Sequence, residues 1–225
     1  FEYILYEKKG HVAYVTLNRP DVMNAMHPPT HAELVRAWSD VIDDDEIWVA
    51  ILTGAGDRAF SAGTDLKWRI EDADEDQLRN PVHSSSHILD HCCKPIIAAV
   101  NGYAVGGGLE LALGCDIIVA SPTAMLGLPE ARRGLLADEG GVLRLPRRLP
   151  YHLAMGMILT GRLVPAPEAH SIGLVNEVAG EGETVMDVAE RWAALILECR
   201  PLAVQAAKQV VVHTIDSPVP LSRTQ

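Results

Sequence analysis

Two acids and three glycine-marked turns show where this chain could do chemistry. Glu110 lies in "VGGGLELAL" (105–113), two residues after the last of three consecutive glycines and between Leu109 and Leu111. A carboxylate in such apolar company is costly to bury unless it is paired or put to use. In "FSAGTD" (60–65), Gly63 permits a tight turn that leaves the Thr64 amide free. Glycines 106–108 open a helix whose first amides point outward and favour negative charge. Two such amides aimed at one point would form an oxyanion hole. "LGLPEARRG" (126–134) adds Glu130, directly after Pro129. Singly, a triple glycine reads as a packing or turn device, and a glutamate after proline as a helix-start acid. Together, amide-exposing turns and two acids suit enolate formation with general acid/base work. Acids sharing an apolar pocket raise each other's pKa, so one of them holds a proton near neutrality.

The elements that must position these groups follow from pattern. "YILYEKKGHVAYVTLN" (3–18) predicts two strands around a Lys9–Gly10 turn, followed by a loop over 18–29 with three prolines. Thr30 and Glu33 form a capping-box pattern ahead of an apolar face made by Leu34, Val35, Trp38, Val41 and Ile42. Strands are expected at 47–54, 95–102 and 116–121, and a helix over 82–93 ends before Pro95. From about residue 140 the pattern turns helical, at 140–148, 151–160, 166–172, 184–199 and 201–213. Strands first and helices later predict an α/β core with a helical C-terminal portion.

Bulk properties narrow the function. The 225 residues are 48% hydrophobic, enough for one large core, and the formal net charge of -11 argues against a nucleic-acid surface. Cys92, Cys93, Cys115 and Cys199 form no C-x-x-C pair, which points to neither a disulfide framework nor a zinc site but to a reducing, cytoplasmic setting. No apolar run reaches the ~18 residues of a membrane span. The chain opens on Phe1, so a preceding piece is expected. His83, His87 and His91 recur at helical spacing but read as a solvated or packed face rather than a metal site, and "EDADEDQ" (71–77) reads as a solvated segment. Of Lys67, Arg69, Arg132 and Arg133, Lys67 is the best candidate for meeting a ligand's phosphates, because it adjoins the Thr64 turn.

The strings "TLNRPDVMNAM", "AFSAGTDLK", "KPIIAAVNGYAVGGGLELALGCDIIVAS", "LGLPEARRGLL" and "AHSIGLVNEV" resemble the crotonase, or enoyl-CoA hydratase, superfamily over about residues 3–213. The resemblance implies a crotonase-like spiral of strand-strand-helix units over 1–183, with a helical oligomerisation segment over 184–225 that builds trimers, often paired into hexamers. It implies an α,β-unsaturated acyl-CoA thioester as substrate. CoA is then part of the substrate, with no separate cofactor and no metal. By motif match the two oxyanion amides fall on Thr64 and Gly107, with Ala62, Asp65, Leu66 and Lys67 along the same substrate-binding segment. The two catalytic glutamates of hydratases fall on Glu110 and Glu130, which favours hydration or dehydration.

Where many members read Pro-Gly-x-Gly-Gly, this chain has "LLADEGGVLRLPRRLP" (135–150). Asp138, eight residues after Glu130, resembles the later acid of dienoyl-CoA isomerases, and "GGVLRLP" is similar to carnitinyl-CoA dehydratases. The alternatives are therefore a double-bond isomerase using Glu130 with Asp138, and a non-catalytic acyl-CoA-binding protein. The family usually continues past this chain's "SPVPLSRTQ" with a further helix that closes the CoA site, so that element is expected to be missing here.

Overall fold

Ile4–Lys9 (β1) and Val12–Leu17 (β2) form an antiparallel hairpin, and β2 then recruits a parallel strand, Val49–Gly54 (β3). Between them runs the helix Pro28–Asp43 (α1), whose Leu34, Trp38 and Val41 are fully buried. The structure is a computed structural model and describes residues 1–71 and 86–215.

From β3 to β8 the chain alternates between two sheets. β3 belongs to a six-stranded sheet, while the next strand, Ala59–Ser61 (β4), starts a four-stranded one. The helices Leu66–Glu71 (α2) and Ser86–Leu89 (α3) lead to the second turn, Ile96–Val100 (β5) in the large sheet and Tyr103–Val105 (β6) in the small one. After the helix Gly107–Leu113 (α4), the third turn places Ile117–Ala120 (β7) and Met125–Gly127 (β8) in the same two sheets. This is the strand-strand-helix spiral expected from sequence. β4, β6 and β8 pair in parallel, so their carboxyl ends lie side by side.

Both faces of the large sheet are covered, which is why β5 ("IIAAV") is buried at every position. On one face Leu52, Ala98 and Val100 join the core with Trp38 of α1 and with Leu109 and Leu113 of α4. On the other, Val49, Ile51, Ile97 and Val119 meet Val188, Ala189 and Ala193 of a later helix. That helix is the last but one of a run: Gly141–Arg148 (α5), Tyr151–Thr160 (α6), the edge strand Leu163–Pro165 (β9), Ala166–Ser171 (α7), the short strand Glu177–Val178 (β10), Val185–Leu197 (α8) and Pro201–Thr214 (α9). Within 184–225, then, α8 lies on the sheet, whereas α9 has no buried residue. Lys208 holds α9 in place by donating to the Lys94 carbonyl and by pairing with Asp116 at 2.7 Å.

Two expectations are corrected and one sheet is added. Thr30 does not cap α1: the helix starts at Pro28 after His27, with no side-chain cap. Two prolines preset the first turn, and Glu33 is drawn away to accept the amides of Glu2, Tyr3 and Ile4. The real capping box is Thr184 with Asp187, at α8. In the helix expected over 82–93, the described part ends at Leu89, and the amides of residues 90–92 bond three residues back rather than four. His83 and most of the acidic stretch 71–77 lie outside the described residues. The added sheet is that of β4, β6, β8 and β9, three residues each, too short to show a strand pattern in the sequence.

Candidate active site

The carboxyl ends of the three parallel strands of the small sheet carry the chemistry. Three residues beyond β4 lies Thr64, two beyond β6 lies Gly107, and three beyond β8 lies Glu130. Strand ends of this kind are where backbone groups leave the ladder and become available to a ligand.

The Thr64 turn is built by its neighbours. Ser61 Oγ donates to the Asn24 carbonyl and accepts the Gly63 amide, and Gly63 takes a left-handed φ of +85° that side chains rarely adopt. Met26 then pairs with Thr64 in a parallel bridge: the Met26 amide donates to Gly63 O at 2.7 Å, and the Asp65 amide donates to Met26 O at 2.8 Å. Because backbone groups alternate in direction along an extended segment, this pairing turns the Thr64 N–H away from Met26. Gly107 is close by: a Cβ placed on Gly107 would lie 3.6 Å from Thr64 N and 3.5 Å from Gly63 Cα. Gly106, at φ +58°, is the residue that redirects the chain from β6 into α4. The Thr64 and Gly107 amides thus stand on two adjoining turns, and neither has a hydrogen-bond acceptor among the described residues.

Both glutamates lie at the glycine turn, and the charge of Glu130 is felt by Glu110. Glu110 is one turn into α4, 2% exposed, with Oε1 accepting the Gly141 amide at 2.8 Å. Burial pushes its carboxyl from an ordinary 4.5 up to about 7; the Gly141 hydrogen bond opposes the rise, and nearby Glu139, Glu130 and Asp138 add to it. Glu130 sits on the short 3-10 turn Pro129–Arg133, with Oε1 2.9 Å from where a Cβ on Gly106 would lie. Its Oε2 is buried with no hydrogen-bond partner. Burial raises this carboxyl too, with Asp138 and Glu139 contributing. Two carboxyls that both resist ionisation beside two outward amides can pass a proton to and from a bound reactant at neutral pH.

The strain of holding Glu110 there has a measurable sign. Its folded pKa exceeds its unfolded value, so the folded state keeps a proton that the unfolded state releases as pH rises from about 4.5 to 7. Stability therefore falls through that window and the penalty persists above it. Glu110→Gln keeps an acceptor for Gly141 and removes the penalty, worth roughly 3 kcal/mol. The variant is expected to melt several degrees higher than the parent at pH 8, with the gain vanishing near pH 4 in a thermal-melt series.

Other expected site residues lie around this centre in different ways. The Ala62 amide is used internally, donating to Met23 O. Leu66 is partly exposed and Lys67 exposed beside the Thr64 turn, while the Asp65 carboxylate faces Arg19 at 2.9 Å. Arg132 donates from Nε to the Thr160 carbonyl. Asp138 is exposed, and it is its neighbour Glu139, not singled out from sequence, that reaches inward, with Oε2 3.6 Å from the Gly107 Cβ position. No group of His, Cys, Asp and Glu among the described residues is arranged to hold a metal ion.

Comparison with known proteins shows the family. The enoyl-CoA hydratase/isomerase family matches residues 7–225, and the chain belongs to that family. It is 44% identical to the (E)-benzylidenesuccinyl-CoA hydratase of Thauera aromatica over 218 residues, 96% of this chain and 84% of that protein. It is 41% identical to the carnitinyl-CoA dehydratase of Citrobacter koseri over 220 residues, covering 97% and 83% of the two chains. Among solved structures, the enoyl-CoA hydratase of Bacillus anthracis superposes with a TM-score of 0.94 at 33% identity, over 99% of this chain and 87% of that one.

Proposed function

We propose that this chain is an enoyl-CoA hydratase-type hydro-lyase, adding water to an α,β-unsaturated acyl-CoA thioester or removing it. What supports the reading is that Glu110 and Glu130, both buried, stand on and beside the glycine turn that adjoins the Thr64 amide, and that Glu130 Oε2 is buried without a partner. The thioester oxygen accepts both amides, so negative charge that develops there as the enolate forms is met by donors already in place. Glu110 and Glu130 hold a water against Cβ. One carboxylate takes a proton from that water as its oxygen bonds to Cβ, and the other carboxyl delivers a proton to Cα as the enolate collapses. The site's net protonation is unchanged over the cycle. Ala62, Leu66 and Lys67 border the CoA side, and CoA enters only as part of the substrate.

Product analysis in D2O tests this. A 2-enoyl-CoA should lose its conjugated absorbance and yield a 3-hydroxyacyl-CoA with one deuterium on Cα. A double-bond isomerase working through Glu130 and Asp138 would instead give a product of unchanged composition apart from exchange, and a binding protein would give no product.

The assembly we propose is a homotrimer, alone or stacked into a hexamer. It is supported by the apolar side chains that α9 leaves in solvent, Leu202 at 79% exposure and Val210 at 60% among them. Light scattering should show no stable monomer at micromolar concentration, and a stable monomer would overturn the assembly. The four free thiols suit a cytoplasmic location. Among the described residues, no helix is long and apolar enough to cross a membrane.

A further inference from the structure

We propose that Arg19 and Asp65 form a positioning device for the Thr64 amide, a role that rests on the hydratase reading above. One guanidinium nitrogen, Arg19 Nη1, donates both to the Ala25 carbonyl at 2.6 Å and to Asp65 Oδ2 at 2.9 Å. Ala25 immediately precedes Met26, and Asp65 immediately follows Thr64. The nitrogen therefore ties together the two chain segments whose bridge aims the Thr64 N–H. The other carboxylate oxygen, Asp65 Oδ1, accepts the Trp68 amide and so fixes the start of α2. Arg19 is itself held, with its backbone amide on Asn24 Oδ1 and its guanidinium 5.9 Å from the centre of the Tyr3 ring. Asn24 in turn donates to the carbonyls of Ala55 and Ala59, the latter at the start of β4.

Both side chains of the pair are mostly withdrawn from solvent, 19% and 12% exposed. The arginine beside Asp65 and the Trp68 amide hold its carboxyl below the usual carboxylate range despite burial. A charge pair in such a place is weak evidence for stability, so its contribution is sought in the geometry it fixes. Neither residue lies among the groups proposed to touch the reacting atoms, so each acts through Thr64. An oxyanion donor moved by a fraction of an ångström loses much of its effect while the substrate still binds.

The test compares the parent with Asp65→Asn, which can still accept the Trp68 amide but loses the ion pair. A 3-aryl-acryloyl-CoA serves as probe, because polarisation of its carbonyl moves the conjugated absorbance to longer wavelength. Asp65→Asn is expected to lower kcat about tenfold or more with KM changed much less, and to shrink that spectral shift in the bound state. Arg19→Lys keeps a cation but cannot span both acceptors, so it should act in the same direction; it carries the test if Asp65→Asn fails to fold. A lower melting temperature with kcat and the spectral shift intact would overturn the proposal and leave the pair as scaffolding. If the parent itself hydrates no enoyl-CoA and shows no shift on binding, the hydratase reading fails instead.

Discussion

Gly107→Val is expected to fold and to lose roughly 100–1,000-fold in turnover, the usual cost of one oxyanion donor. The position has room for a Cβ. A Cβ there would make only ordinary contacts, 3.5 Å from Gly63 Cα and 3.6 Å from Thr64 N and Glu139 Oε2. Those same neighbours show why activity should suffer. On the proposed reading, the added bulk crowds the Thr64 amide, beside which the thioester oxygen would enter to reach both donors. Circular dichroism and thermal melts should report a folded protein, and the hydration assay a crippled one. A folded variant with near-normal turnover would mean that the oxyanion lies elsewhere.

The second large effect concerns the acids. Glu110→Gln and Glu130→Gln should each reduce hydration by about 100–10,000-fold, the range spanned by positioned acid/base groups. Glutamine keeps the size, and at position 110 it keeps an acceptor for the Gly141 amide, so the substitution separates proton transfer from packing. Asp138→Asn should have little effect on hydration, because Asp138 is exposed and bears on the site only through its charge. The opposite pattern, with Asp138→Asn severe and Glu110→Gln mild, would belong to an isomerase. Steady-state rates of the three single variants on one enoyl-CoA distinguish the two.

What the sequence made legible was local backbone chemistry. A glycine before Thr64 and three glycines before Glu110 announce turns whose amides leave the ladder, and the structure places those turns on adjoining strand ends. The central strands of the large sheet were legible because runs such as "IIAAV" are long enough to declare burial on both faces. The small sheet was not, since three-residue strands such as "AFS" and "MLG" carry no periodicity; only their pairing across the spiral defines them. Glu33 shows a different limit. Its spacing from Thr30 imitates a capping box, but the amides of residues 2–4 compete for the same carboxylate. Asp65 and Glu139 show a third, because which way each points depends on partners far along the chain. Asp65 is turned by Arg19, 46 residues away, and Glu139 faces Gly107 through the path of an irregular loop.

The claim at the centre of this account is that Glu110 and Glu130 work as one unit on a single water and a single Cα. Hydration by the Glu110→Gln/Glu130→Gln double variant, set against both single variants under identical conditions, tests that most directly. Residues that act together show losses that do not add, so the double variant should fall within about tenfold of the slower single. Losses that multiply, or a Glu110→Gln enzyme that hydrates at close to the parent rate, would contradict it.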